Sequence, residues 1–192
     1  MERNLETECK VLLNSEDYEK LYDYFNLNEN MVIKQVNYYF DTVDLNLAKN
    51  KYNMRVRHVL NNDEYIFTVK IPQENESNLE LNQVISYDEF KALIEQSKLP
   101  DGFIKNKVDE FNSKPIILLA SLATERFEFE YEAGLIALDY NTYNNRYDYE
   151  LEYEGKDIEV CKNIIANLLT MLDIEYTFNK VSKRKRAITT RV

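Results

Sequence analysis

The chain has 192 residues, 44% of them hydrophobic, and a net charge of −10. That length suits one domain with a sizeable core. The acidic balance excludes the broad basic surface of a nucleic-acid binder, and no run of about 18 apolar residues offers a transmembrane helix.

Strand signals dominate, with 15 tyrosines and 9 phenylalanines set in alternating runs. A strand over 4–13 comes first. Ser15 then reads as the N-cap of a helix with Tyr18, Leu21, Tyr22 and Phe25 on one face. Strands follow over 32–41, 52–60, 63–71 and 78–86. Ser86 or Asp88 caps a helix carrying Phe90, Leu93 and Ile94. Residues 103–112 read as a short helix, ended by Pro115. Three more strands cover 116–131, 134–143 and 146–155. The most periodic helix spans 157–172, with Ile158, Cys161, Ile164, Ile165, Leu168, Leu169 and Leu172. Short gaps at 60–64, 131–134 and 143–146 imply antiparallel hairpins. The weak boundary near 97–115, with Pro100, Gly102 and Pro115, does not break the expectation of one domain, 1–192, built from two similar halves.

Several chemistries are absent from the residues. The start, MERNLETECK, has no apolar stretch behind it and is not a signal peptide. Two cysteines, Cys9 and Cys161, make no disulfide framework, and a cytoplasmic location is expected. There is no CxxC or Cys/His cluster for zinc. The three glycines are too far apart for a P-loop or a dinucleotide motif.

The charges are more informative. Successive strand side chains point to opposite faces. Glu6, Glu8 and Lys10 therefore share one face of the first strand, opposite Thr7, Cys9, Val11 and Leu13. Arg55 and Arg57 lie opposite Met54, Val56 and His58. Thr68 and Lys70 lie opposite Phe67, Val69 and Ile71. Arg126, Glu128 and Glu130 lie opposite Phe127, Phe129 and Tyr131, and Glu150, Glu152 and Glu154 lie opposite Tyr149, Leu151 and Tyr153. Asp139 adds an acid on a further strand. For a single strand this pattern describes a sheet with one face in water. The set is unevenly sorted into basic and acidic rows, and the amphipathic helices need apolar sheet to cover. A closed barrel of about eight strands with helices outside would turn the charges inward, around one small ligand. Buried charges must be paired or hold ions. On this reading Glu6 and Glu8 hold a metal, and Lys10 touches a phosphate.

The ordered pieces resemble the CYTH family, also called triphosphate tunnel metalloenzymes. Glu6-Thr-Glu8-Cys-Lys10 matches its ExExK signature. NYYFDTVDLNL at 37–47 resembles its Y-[FY]-D-T-x-D-x-x-L segment. Arg55-x-Arg57, Thr68-x-Lys70, Thr124-x-Arg126, Asp139 and Glu150-x-Glu152 follow in family order, and Ser182-Lys183-x-x-Arg186-Ala187 resembles the closing S-K-x-x-R-A. The resemblance implies an α+β fold: a closed eight-stranded antiparallel β-barrel with a polar interior and helices packed outside. It implies a triphosphate ligand with Mg²⁺ or Mn²⁺. Carried over by position, Lys10, Arg55, Arg57, Lys70, Arg126, Lys183 and Arg186 contact phosphates, and Glu6, Glu8, Glu80, Asp139, Glu150 and Glu152 hold metal. The chain departs from the family pattern twice. Asn82 stands where a second acid often follows Glu80, and Thr124 stands where some members have lysine.

The chemistry agrees. Phosphoryl transfer needs positioning and charge neutralisation more than covalent help. Arginine forks suit phosphate oxygens, and carboxylates suit hard cations. Lys10 is the candidate base. His58 and Cys9 point away from these charges. In the basic tail, Lys183 and Arg186 are expected to turn toward the site, and Arg184 and Lys185 toward solvent. The leading expectation is a metal-dependent triphosphatase with a small-molecule substrate and neither nucleic acid nor membrane as partner. Its rivals are an adenylate cyclase of the same family, a non-catalytic polyphosphate or nucleotide sensor, and a plain sheet protein with a solvated charged face. The tyrosines suit either a core or a homodimer face.

Overall fold

The structure, a computed structural model, describes residues 2–74, 77–111 and 114–190. Eight strands, β1 (Glu2–Leu13), β2 (Ile33–Thr42), β3 (Asn53–Val59), β4 (Glu64–Pro72), β5 (Asn78–Ile85), β6 (Ile116–Tyr131), β7 (Gly134–Tyr143) and β8 (Arg146–Gly155), form a closed barrel. Around it the order is β1-β5-β4-β3-β2-β6-β7-β8. The hairpins β3/β4, β6/β7 and β7/β8 pair antiparallel, as their short gaps imply. The last three strands fall at the bounds expected from their alternation.

The helices need more correction. Asn14, not Ser15, caps α1 (Ser15–Tyr24): Asn14 has extended backbone, and its side chain accepts from the Asp17 amide at 2.9 Å. Ser15 is thus the first helical residue. Four-residue α2 (Asn46–Lys49) was not visible as a periodic stripe. Asp41 builds it, accepting from the Leu47 and Ala48 amides at 2.9 and 3.0 Å. The YFDTVDLNL segment is therefore a local folding device as well as a family mark. Ser86 caps α3 (Tyr87–Gln96) in a reciprocal capping box with Glu89. Phe90 and Leu93 of α3 are buried, but Ile94, one position round, falls on the exposed edge of that stripe. The helix expected over 103–112 divides into α4 (Lys105–Val108) and a 3-10 turn over Asp109–Phe111. Asp157 caps α5 (Ile158–Met171), accepting from the Glu159 and Val160 amides. The basic tail forms α6 (Lys183–Thr189), capped by Ser182.

Two compact units are present, one of Gln35–Leu122 with the segment before Glu6, the other of Glu6–Lys34 with the chain from Ala123 onward. Each has its own core. In the first, Met54, Val56, Phe67, Val69 and Leu81 of the strands pack with Phe90 and Leu93 of α3. In the second, Cys9, Val11, Ile136, Leu138 and Leu151 pack with Leu21 of α1 and Cys161, Ile165, Leu168 and Leu169 of α5. Each fully buried Val, Leu, Ile or Phe contributes about 1.5–3 kcal/mol. Because side chains alternate, burying these residues commits their neighbours to the opposite, polar face. No described helix is long and apolar enough to cross a membrane.

Candidate active site

In the second unit the strand register assembles the acids. Arg126 pairs with Asp139 and Asp139 with Glu150 across β6, β7 and β8, while Lys10 of β1 faces Glu152. One carboxylate oxygen from each of Asp139, Glu150 and Glu152 lies within 4.8 Å of the others. Asp139 and Glu150 are wholly buried. Cations thread this group. Lys183 donates to Glu152 at 2.8 Å and to Glu150, and lies 2.8 Å from Asp139. Arg126 grips Asp139 with two parallel bonds of 2.8 Å and reaches Glu152 at 2.7 Å. Lys10 donates to Glu8 at 2.6 Å and sits 3.6 Å from Glu152.

Helix α6 delivers two of these cations. The Ser182 cap starts the helix, so Lys183 and Arg186, three residues apart, share a face. Arg186 is buried and donates to Glu150 at 2.6 Å and to Asp148 at 2.9 Å. Lys185 is exposed, as expected, but Arg184 is half-buried rather than turned fully to solvent. Asp148 is a residue the sequence reading passed over. It also accepts from Asn141 at 2.9 Å and from the Tyr143 hydroxyl at 2.6 Å. The signal was there: Asp148 lies two before Glu150, on the same strand face. Thr124, where some family members carry lysine, donates to Asn141 at 2.8 Å.

Burial and partners divide the acids. Burial works against ionising Asp139, but Arg126 and Lys183 outweigh it and hold its pKa below the usual range. Glu152 is likewise buried, yet Lys183, Lys10 and Arg126 hold it well below. For Glu150, burial and the neighbouring Glu152 charge win over Lys183 and Arg186, and its pKa is raised. Lys10 is desolvated, but Glu8 and Glu152 more than compensate and raise its pKa. As placed, it is an ion-pair cation and is poorly suited to take a proton.

In the first unit the polar face is built differently. Arg55, Thr68 and Asn82 form a transverse row across β3, β4 and β5, and Lys70 faces Glu80 in the next. Glu80 lies 3.0 Å from Lys70 and 3.4 Å from Arg55. Arg57 donates to Asn37 at 3.3 Å. Burial would raise the Glu80 pKa, but Arg55 and Lys70 drive it far below the carboxylate range.

Glu6 and Glu8 are half-buried on one face of β1. Among the described residues, the one group of three or more acids close enough to share an ion is Asp139, Glu150 and Glu152. Their all-oxygen, closely spaced donors fit a hard divalent cation such as Mg²⁺ or Mn²⁺. His58 stacks on Tyr65 at 4.1 Å and pairs with Asp63. It takes no part in either charge cluster.

A CYTH domain profile matches residues 4–186. The chain belongs to the CYTH family. It is 30% identical over 188 residues to the candidate triphosphatase YjbK of Bacillus subtilis (strain 168), covering 94% of each chain. Among solved structures, a candidate adenylate cyclase from Bacillus halodurans is similar at a TM-score of 0.87 and 28% identity, over 97% of this chain and 98% of that one. A candidate adenylyl cyclase from Hippeastrum, HpAC1, described as having a dominant triphosphatase activity, superposes at a TM-score of 0.74 with 18% identity, over 98% and 96%. The CYTH barrel expected from the ordered motifs is thus the fold observed.

Proposed function

We propose that this CYTH protein is a divalent-metal-dependent triphosphatase that releases orthophosphate from tripolyphosphate or a related triphosphate. The observation that carries the reading is the acid group Asp139, Glu150 and Glu152 interleaved with Lys183, Arg126 and Lys10. Such a group has an oxygen site for a hard cation and, beside it, donors for a phosphate chain. YjbK and the Hippeastrum protein lend support through the activity each is named for. The match over 4–186 supports taking 1–192 as one CYTH-type domain.

On this reading Arg55, Arg57 and Lys70 are the phosphate donors of the first unit's polar face, and Lys10, Arg126 and Lys183 those of the second's. Arg186, bound to Asp148 and Glu150, mainly fixes α6 and so sets Lys183. Asp139, Glu150 and Glu152 hold the metal, with Glu6 and Glu8 contributing through water. When bound, the cation offsets charge on the leaving oxygens and makes its water a better nucleophile at neutral pH. Lys10, kept protonated by Glu8 and Glu152, meets the terminal phosphate and does not serve as base. The buried free thiols of Cys9 and Cys161 suit a cytoplasmic location.

The description of the Bacillus halodurans relative favours a second reading, cyclisation of ATP with release of pyrophosphate. The products separate the two. Purified protein is incubated with tripolyphosphate, ATP or thiamine triphosphate, each with Mg²⁺ or Mn²⁺. Orthophosphate from tripolyphosphate is expected. Pyrophosphate with cyclic AMP, and no orthophosphate, establishes the cyclase instead.

A further inference from the structure

Glu80 stood with the metal-binding acids in the sequence pattern, but its surroundings are those of a counter-ion. Its Oε2 faces Lys70 at 3.0 Å and Arg55 at 3.4 Å. Its Oε1 accepts from the amide of Asn82 at 2.9 Å. Asn82 is itself oriented, because its Oδ1 accepts from the Thr68 hydroxyl at 2.7 Å. Both carboxylate oxygens are thus occupied, by two cations and one fixed amide. The strand register makes this a designed contact: Lys70 stands directly opposite Glu80, and Thr68 directly between Arg55 and Asn82. An aspartate at 82 would place a second carboxylate against Glu80 and invite a cation there. Asparagine turns a donor to it instead, and Glu80 belongs to no group of three or more converging acids among the described residues.

We infer that Glu80 is a positioning residue that acts through Lys70 and Arg55, held by the Thr68–Asn82 relay, and that it is not a metal ligand. The inference rests on the triphosphatase reading for what the two cations do. Long cationic side chains lose rotamer freedom when fixed. A carboxylate that fixes them before substrate arrives spares the bound state that loss. The depressed Glu80 pKa agrees, since it reports how firmly Arg55 and Lys70 hold the charged form.

The test is a double-mutant cycle with a separate metal titration. Glu80→Gln keeps the shape and the Asn82 contact but presents an amide to the two cations. Glu80→Gln is expected to lower kcat/KM for tripolyphosphate about tenfold, with the half-saturating Mg²⁺ concentration unchanged. Binding of Mn²⁺ to the substrate-free protein is expected to match wild type. Lys70→Ala combined with Glu80→Gln is expected to lose little more than Lys70→Ala alone. If Glu80→Gln weakens Mn²⁺ binding tenfold, leaves kcat/KM intact, or adds its full loss to that of Lys70→Ala, the positioning role is wrong. Should Glu80→Gln not fold, Asn82→Ala, which removes no charge, enters the same cycle with a smaller loss expected. If wild type hydrolyses no triphosphate, the functional reading has failed, and the cycle is read on tripolyphosphate binding in the presence of chelator.

Discussion

The two units carry polar faces of opposite character. In the first, Arg55 and Lys70 pair with Glu80, and Arg57 donates to Asn37. In the second, Lys10, Arg126, Lys183 and Arg186 are matched by Glu8, Asp139, Asp148, Glu150 and Glu152. The first gathers three cations, Arg55, Arg57 and Lys70, on one sheet face. The second is close to self-neutral, with its cations occupied by its own acids. On the triphosphatase proposal, Asp139, Glu150 and Glu152 would hold a divalent cation here, and Lys10, Arg126 and Lys183 would serve as donors for phosphate. On the proposed function, the first face would contact phosphate and the second would hold the metal.

The largest effect that would break this contrast is at Glu152, which three cations share. Glu152→Gln should lower triphosphate hydrolysis about 10²-fold, the scale of losing one group from a preorganised electrostatic site, and raise the Mn²⁺ concentration needed for half-maximal rate. Hydrolysis at wild-type metal concentrations would remove the second face from the metal site. Next is Arg57→Ala in the first unit. A charge-assisted hydrogen bond contributes about 1.5–3 kcal/mol, so the KM for tripolyphosphate should rise about 10–100-fold while Mn²⁺ binding stays as in wild type. An altered metal affinity with unchanged KM would reverse the assignment of faces.

Lys183→Met sharpens the point about self-neutrality. Removing one partner of a buried ion pair costs about 3–5 kcal/mol, so the substrate-free protein should unfold at lower urea, and Mn²⁺ should recover much of the loss. Unchanged stability would mean that α6 does not neutralise the acids in solution.

The acid limb of stability tests both faces together. Asp139, Glu152 and Glu80 have pKa values held below normal, so their stabilisation is complete above about pH 4, the unfolded carboxylate range. It is lost as pH falls below that. Glu150, with a raised value, runs the other way and offsets part of the loss. The urea midpoint should hold between pH 7 and 5 and fall steeply below about 4; a midpoint constant to pH 2.5 contradicts the ion-pair description. The smallest effect concerns the apolar face. Burial pushes the Cys9 thiol up to about 12, so neither buried cysteine should react with a thiol reagent at pH 8 until the protein is unfolded.

The barrel was legible because period-2 alternation of charge and apolar residues is imposed by the strand itself. β6, β7 and β8 fell where that alternation began and ended. Short helices were not, because four residues such as 46–49 make no periodic stripe and are held by a distant cap, Asp41. Within the site, alternation named Arg126, Glu150 and Glu152, Asp139 stood as an acid on a further strand, and the resemblance of the tail to S-K-x-x-R-A named Lys183; the fold does bring these together. It could not show that Asp148 and Asn141 brace Arg186, or that Glu80 is shared by two cations. Those facts depend on cross-strand register and on rotamers, which a single strand's pattern does not contain.

The most direct measurement is a crystal structure with tripolyphosphate and Mn²⁺, using the anomalous signal of manganese. The expected result is manganese on Asp139, Glu150 and Glu152, with phosphate oxygens on Arg55, Arg57 and Lys70 and with Glu80 still on its cations. Manganese on Glu80, or a phosphate chain that leaves those three cations untouched, would contradict the proposed division between a phosphate-contacting face and a metal-holding one.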